Sequence, residues 1–305
     1  MNWLRRHTVA IAIVLIAAAL GVAAGSGFIG NHFGSANSER RKNDQLTDQV
    51  NALKTQLRQQ NDFIGVLGKH ALTGSFKGRS VLVITTPEVS ARDVTAVSDR
   101  ISEAGARVSG RLQLTDALLA DQQSAKLDTI VDQSIPPGAA LRTELTDSGG
   151  RLGDLLGLLL QLNPKNSAPQ ASDAARDAAL QTLQQGGYVS FSGATVEPAQ
   201  FAVVVTGGRY ADDSGARGQV AARFGAGLAG RGGGTVLAGR TGSASGGSPV
   251  AVARRDLVGA PQLSTVDDVD ELAGQIAVPL ALVAESTGTT GNYGTGPGAS
   301  APAPN

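Results

Sequence analysis

The sequence predicts an α/β protein: a mainly parallel open sheet with helices on both faces, preceded by an N-terminal transmembrane helix and a short coiled coil. Three observations carry this reading. Thr8 to Ile29 is a run of roughly 22 residues without an ionisable side chain, which at about 1.5 Å rise per residue can cross a hydrocarbon core of about 30 Å. A heptad of apolar residues follows it, and beyond residue 74 short β-branched runs alternate with helical periodicity. The expected organisation is a membrane span with its flanks over 1–36, coiled coil and hinge over 37–73, an exported α/β domain over 74–286 and a disordered tail over 287–305.

Arg5 and Arg6 flank the N-terminal end of the apolar run, whereas Asn31 to Ser38 carries no Lys or Arg, so the positive-inside bias places the N-terminus in the cytoplasm and exports the bulk of the chain. Arg40, Arg41 and Lys42 weaken that asymmetry. A cleaved signal peptide is the rival, with Val9 to Leu20 as its apolar region and Val22, Ala23 and Ala24 before the cut. The run continues through Phe28 and Ile29 past any such cut, which favours retention as an anchor in membrane lipid.

The 305 residues carry zero formal net charge, so the chain lacks the basic footprint of a nucleic-acid binder, and it contains no Cys. An exported fold without disulfides must stand on packing alone. After the span, Leu46, Val50, Leu53, Leu57, Ile64 and Leu67 follow steps of four and three except where Gln60 interrupts. Leu46, Leu53, Gln60 and Leu67 occupy d; Asn43, Val50, Leu57 and Ile64 occupy a. Polar Asn43 and Gln60 in the seam set register in such helices, and a homo-oligomer through this helix is expected; an amphipathic helix lying on its own domain is the alternative. Gly74 to Gly78 reads as the hinge into the next domain.

In that domain Ser80 to Thr86 reads as a strand closed by Pro87, Ala91 to Ala104 as a helix, Arg107 to Leu114 as a strand and Leu118 to Val131 as a helix. Leu152 to Leu162 is an apolar helix too short to span a bilayer and is expected in the core. Asp173 to Leu183 reads as a helix, Tyr188 to Phe191 and Phe201 to Thr206 as strands, and Gly218 to Leu228 as a helix. Thr235 to Ala238 and Val250 to Ala253 read as strands, followed by a last helix from Asp268 to about Glu285, bent at Pro279.

Catalytic signatures are missing. Gly225, Gly227 and Gly230 spell G-x-G-x-x-G but follow a helical segment instead of a strand, so they cannot aim a helix N-terminus at a pyrophosphate. There is no P-loop or nucleophile elbow, and no enzyme or cofactor is expected. His70 is the only histidine in or near the globular part and reads as a solvated helix-end residue. Asp267, Asp268 and Asp270, with Thr265 and Glu271, offer oxygen ligands for a hard cation, although Thr265 three residues before Asp268 also reads as a capping box. Open α/β sheets bind ligands outside the carboxyl ends of their strands, which here carry Thr85, Thr86, Thr206, Gly207, Gly208, Gly239 and Arg240.

The apolar span ending VAAGSGFIG, the coiled coil, and then SVLVITTPE, VVVTGG, ARF, TVLAGR, STVDDVD and a late YGTG together resemble the MctB family of actinobacterial copper transport proteins over nearly the whole chain. The resemblance implies an envelope protein of copper efflux or tolerance, described for the family as an outer-membrane, pore-associated component, with copper ion as transported substrate. It brings no catalytic or ligand motif onto individual positions. A membrane barrel needs many strands of about 10 residues with lipid-facing alternation, and the βα alternation supplies too few, so an oligomer of the coiled coil or the spans is the more natural route to a pore. A scaffolding envelope protein is the alternative function.

Overall fold

The computed structural model describes residues 35–120, 124–193, 196–257 and 263–304. The expected span, Thr8 to Ile29, lies outside them. Among the described residues no helix is long and apolar enough to cross a membrane. They fall into two compact units that divide between His70 and Ala71.

The first unit is helix α1, Ser35–Leu72, whose last two residues belong to the second unit. The first half of its apolar stripe is exposed, Leu46, Val50, Leu53 and Leu57 at 57%, 46%, 51% and 49%, whereas Ile64 and Leu67 are half-buried. The heptad therefore lies on a continuous helix with the first half of its seam open.

The second unit is a sheet with helices on either side. In chain order its elements are β1 Ser80–Thr85, α2 Ala91–Glu103, β2 Arg107–Leu114, α3 Asp116–Leu119, α4 Ser124–Gln133, α5 Ser148–Leu160, α6 Asp173–Gln185 and β3 Val189–Ser190. They continue with β4 Phe201–Val205, α7 Arg217–Ala229, β5 Thr235–Ala238, α8 Pro249–Asp256, β6 Leu263–Val266, α9 Leu272–Glu285 and β7 Asn292–Tyr293. The strand order is β3-β2-β1-β4-β5-β6-β7, parallel except for the antiparallel pairing of β2 with β3. The central runs VLVIT, FAVVV and TVLA are buried on both faces, as parallel strands between helix layers must be. Alternate residues separate the faces. Leu82, Ile84, Ala202, Val204 and Leu237 join the core beneath α4 to α8. Val81, Val83, Val203 and Val236 point the other way, where α2 packs on α9 and α9 lies over β5 and β6.

Local sequence starts several helices. Ser90 accepts a hydrogen bond from the Arg92 amide, Asp147 from Gly150 and Ser172 from Ala175, each satisfying a first-turn donor. Helix α5 is the apolar LGDLLGLLL segment, and it is buried throughout. It meets α7 through Gly149 and Gly153, whose missing side chains would collide with the Val220 and Phe224 carbonyls, and Gly157 lies against Arg231 just past the helix. From α7, Gly227 abuts the Gly150 carbonyl in return. Of the G-x-G-x-x-G string, Gly227 thus serves helix contact, while Gly225 faces Leu237 and Leu263 and Gly230 abuts the Arg142 guanidinium. Asp154 of α5 is fully buried beside this contact. Arg142 reaches its carboxylate through backbone N (2.7 Å) and Nε (2.8 Å), and Arg231 through Nε (2.5 Å) and Nη2 (2.6 Å). Burial pushes the Asp154 pKa up, but these donors outweigh it and hold the carboxyl below its usual range.

Three expectations are corrected, and one strand was not foreseen. Val250–Ala253 is helical, within α8, because Pro249, with its φ preset for a first helical turn, starts a helix that outweighs a short β-branched run. The strand in this region is β6, where Ser264 and Thr265 dilute the apolar signal. Leu118 to Val131 is split between α3 and α4. Residues 287–304 are folded: β7 pairs with β6, and Tyr293 bridges Ala301. The Gly74 to Gly78 turn, with both glycines left-handed, is pinned by Phe76, whose amide donates to Ala104 O at 2.8 Å and whose ring lies 4.7 Å from that of Phe201.

Gly153→Ala is expected to destabilise the protein by about 2 kcal/mol through overpacking against α7. Gly247→Ala, with open space around its position, should be neutral. Urea unfolding of the full chain in detergent micelles checks both.

Candidate functional site

Parallel strands bring their carboxyl ends to one rim, and the predicted crevice residues converge there. The pairing runs on past the strand ends: Thr86 N donates to Val205 O (3.1 Å), Thr206 N to Ala238 O (2.7 Å) and Gly239 N to Val266 O (2.8 Å). As a result Thr85, Thr86 and Thr206 are buried under the rim and do not line it. Gly207 abuts Glu88, and Gly208 abuts the Thr241 carbonyl. Arg240 stays partly exposed, its Nε 3.2 Å from Asp93 Oδ2 and its Nη2 3.8 Å from Asp270 Oδ2.

The open space lies one loop further out. A cavity of about 330 Å³ sits between the loops that follow β1 and β4, with walls from Glu88, Gly208, Arg209, Tyr210, Ser214 and Arg217. From β1 the chain runs to β2 on one side, and β4 lies on the other, so this is the topological switch point, where such sheets bind ligands. Glu88 organises the wall. Arg217 grips its Oε1 through Nε (3.0 Å) and Nη2, while the Tyr210 hydroxyl donates to Oε2 (3.0 Å). Arg217 Nη2 also meets Asp116 Oδ1 at 2.5 Å. Burial would raise the Glu88 pKa, yet the Arg217 hydrogen bonds hold it below the usual carboxylate range. Burial and then the Glu88 charge push the Tyr210 phenol up, so it stays a proton donor. Glu88, Arg209, Tyr210, Ser214 and Arg217 were not singled out in the sequence. Their signal was available as the loops after β1 and β4, once the strand order placed those two side by side.

The acidic cluster lies in the loop between β6 and α9. Helix α9 begins at Leu272, so Thr265 is a strand residue and forms no capping box; its hydroxyl accepts from Arg254 and bonds Asn292. Asp267 is buried and committed to protein donors: Arg254 Nη1 at 2.5 Å, and the Thr295 and Gly296 amides at 3.0 Å. Arg254 also donates to the Tyr293 and Pro297 carbonyls, so this pair straps residues 293–297 onto the sheet. Asp270 accepts from Thr241 N and Oγ1. Asp268 is only 3% exposed, and its Oδ1 has no hydrogen-bond partner among the described residues. Burial first, then the charges of Asp267, Asp270 and Glu271, push its pKa up to about 7. Among the described residues no three His, Cys, Asp or Glu side chains form a group able to hold a metal ion. His70 is exposed near the end of α1.

The Asp268 shift has a measurable consequence. The folded state keeps this proton up to about pH 7, whereas the unfolded chain releases it near pH 4, so its contribution to stability is lost as pH rises between those values. Asp268→Asn is expected to flatten the decline by on the order of 3 kcal/mol between pH 4 and pH 8. Melting temperatures of both proteins across that range check it.

Comparison with known proteins comes to the same place as the motifs. The family described as "Copper transport outer membrane protein, MctB" matches residues 1–304. A protein of Mycobacterium tuberculosis (strain H37Rv) named "Copper transporter MctB" is 40% identical over 304 residues, covering 97% of each chain. One of the same name from Mycobacterium leprae is 38% identical over 320 residues, again with 97% of each chain covered. With this coverage from the apolar N-terminal run to the strapped C-terminal segment, the chain belongs to the MctB family.

Proposed function

We propose that this protein acts in copper transport at the cell envelope, in efflux and tolerance, as a membrane-anchored, exported and non-catalytic component that works as an oligomer. The observation that carries the reading is the family match over residues 1–304, with relatives named copper transporters across 97% of the chain. The apolar run Thr8 to Ile29 supports anchoring, and the name of the family supports the outer envelope as its location.

The chemistry of the ligands shapes the mechanism. Cu(I) prefers thiolate, thioether or imidazole, yet there is no Cys, the sole Met is Met1 and the three His are dispersed. Copper therefore passes as cargo through an assembly instead of resting in a tight site within one ectodomain. The open seam of α1 supports that assembly, since burying Leu46, Val50, Leu53 and Leu57 requires a partner helix. Oligomerisation would gather the His70 side chains at one level, the place where weak copper contacts are expected. The same open seam favours a second reading, a scaffolding envelope protein that oligomerises and moves no metal.

Intracellular copper content separates the two. A deletion strain is expected to accumulate copper, and the intact chain to restore the normal level; unchanged copper would leave scaffolding. Leu53→Asp combined with Leu57→Asp is expected to give a monomer by sedimentation and to fail in restoring copper. Carbonate extraction should leave the intact chain with the membrane.

A further inference from the structure

The cavity at the switch point has no part in copper handling as proposed above, since its walls hold no soft ligand. Its polar groups are nonetheless arranged and partly unspent. Arg217 uses Nε and Nη2 on Glu88 and Asp116, while its Nη1 makes no hydrogen bond to any described residue. The two carboxylates fix that guanidinium in one orientation and leave a donor edge free, which is how Arg is pre-organised for an oxyanion. Among the described residues Arg209 pairs with Asp212 alone, through Nη2 at 3.2 Å, with the two side chains 61% and 87% exposed, so this pair is weak and easily exchanged. The Glu88 charge is matched by Arg217, and Arg209 is the second guanidinium of the walls. Asp116 and Asp212 contact these arginines from the solvent side, 73% and 87% exposed, so their pairs are readily exchanged for a ligand anion. Glu88 Oε2, which accepts from the Tyr210 hydroxyl, can also accept from a ligand hydroxyl, and Ser214 adds a hydroxyl to the wall.

We infer that this cavity binds a small organic oxyanion: a phosphate or carboxylate head group held by Arg209 and the free edge of Arg217, on a hydroxylated body that donates to Glu88. A volume of about 330 Å³ suits a molecule of sugar or hydroxy-acid size and is too small for a dinucleotide. Helix α7 begins at Arg217 with no capping side chain and no acidic residue in its first turn, so its dipole adds to the preference for negative charge. The position of the cavity, outside the carboxyl ends of β1 and β4, is where the fold leaves backbone free to approach a ligand.

Isothermal titration of the full-length chain in detergent micelles with glucose 6-phosphate, gluconate and glucose tests this on one carbon skeleton. Saturable binding of the phosphate, the carboxylate or both is expected, with glucose at least about tenfold weaker, and the stronger of the two anions identifies the head group. Raising the salt should weaken it. Arg209→Gln is expected to lower affinity about tenfold with an unchanged melting temperature, because the residue is exposed; Arg217→Lys, which keeps the charge but loses the fork, should lower affinity by a similar factor. Glucose binding as well as the anions would make the site a neutral polyol site and overturn the inference. So would the absence of saturable binding, or an affinity that survives both substitutions.

Discussion

Helices α5 and α7 touch backbone to backbone, and much of the second unit takes its geometry from that contact. Gly149, Gly153 and Gly157 on one side and Gly227 on the other remove the side chains that would hold two helices apart. The approach buries Asp154, which is tolerable only because Arg142 and Arg231 reach it from outside the helix pair. Arg217 is the first residue of α7, about 15 Å along the axis from Gly227. The helix that this glycine contact docks therefore also delivers a guanidinium to Glu88 at the strand ends. Packing along the helix and polar geometry at its start are one constraint.

The carboxylates divide into two kinds. Asp154 and Asp267 are buried with arginine and amide donors, whereas Asp268 and Glu285 are buried without hydrogen-bond partners for Asp268 Oδ1 or either Glu285 oxygen among the described residues. Burial raises the pKa of the latter two, well above the ordinary value for Glu285. Either way, these oxygens are spent on holding the fold or are kept protonated, and neither state suits a cation. A formal net charge of zero conceals this arrangement, since counting residues cannot separate a paired carboxylate from a neutral one.

Legibility followed the strength of local signals. The β-branched runs of β1, β4 and β5 and the apolar α5 announce themselves in sequence, because strands buried on both faces need continuous apolar residues. Strand β6 does not: four residues, two of them hydroxylic, look like a loop, and the acidic residues after it look like a helix start. The Gly-rich segment after Thr287 has the composition of a disordered tail, but Arg254 and Asp267 bind its backbone carbonyls and amides, which composition does not encode. At the rim, the expectation named the last strand residues, and continued pairing drew their side chains under the surface. The cavity belongs to the loops beyond, and recognising it required knowing that β1 and β4 are neighbours.

That neighbour relation also governs how the chain acquires its shape. Ser80 and Gln200 exchange hydrogen bonds across the β1–β4 junction, the Ser80 amide to Gln200 Oε1 at 3.3 Å and the Gln200 amide to Ser80 Oγ at 3.0 Å, although 120 residues separate them. Closing so long a loop precedes any reward from the pairing, and parallel sheets built on distant contacts fold slowly. Helix α1 rests on local hydrogen bonds and has no such delay. Helix α1 can thus form while the sheet is still unassembled, so the two units of the chain take shape by different routes and on different timescales.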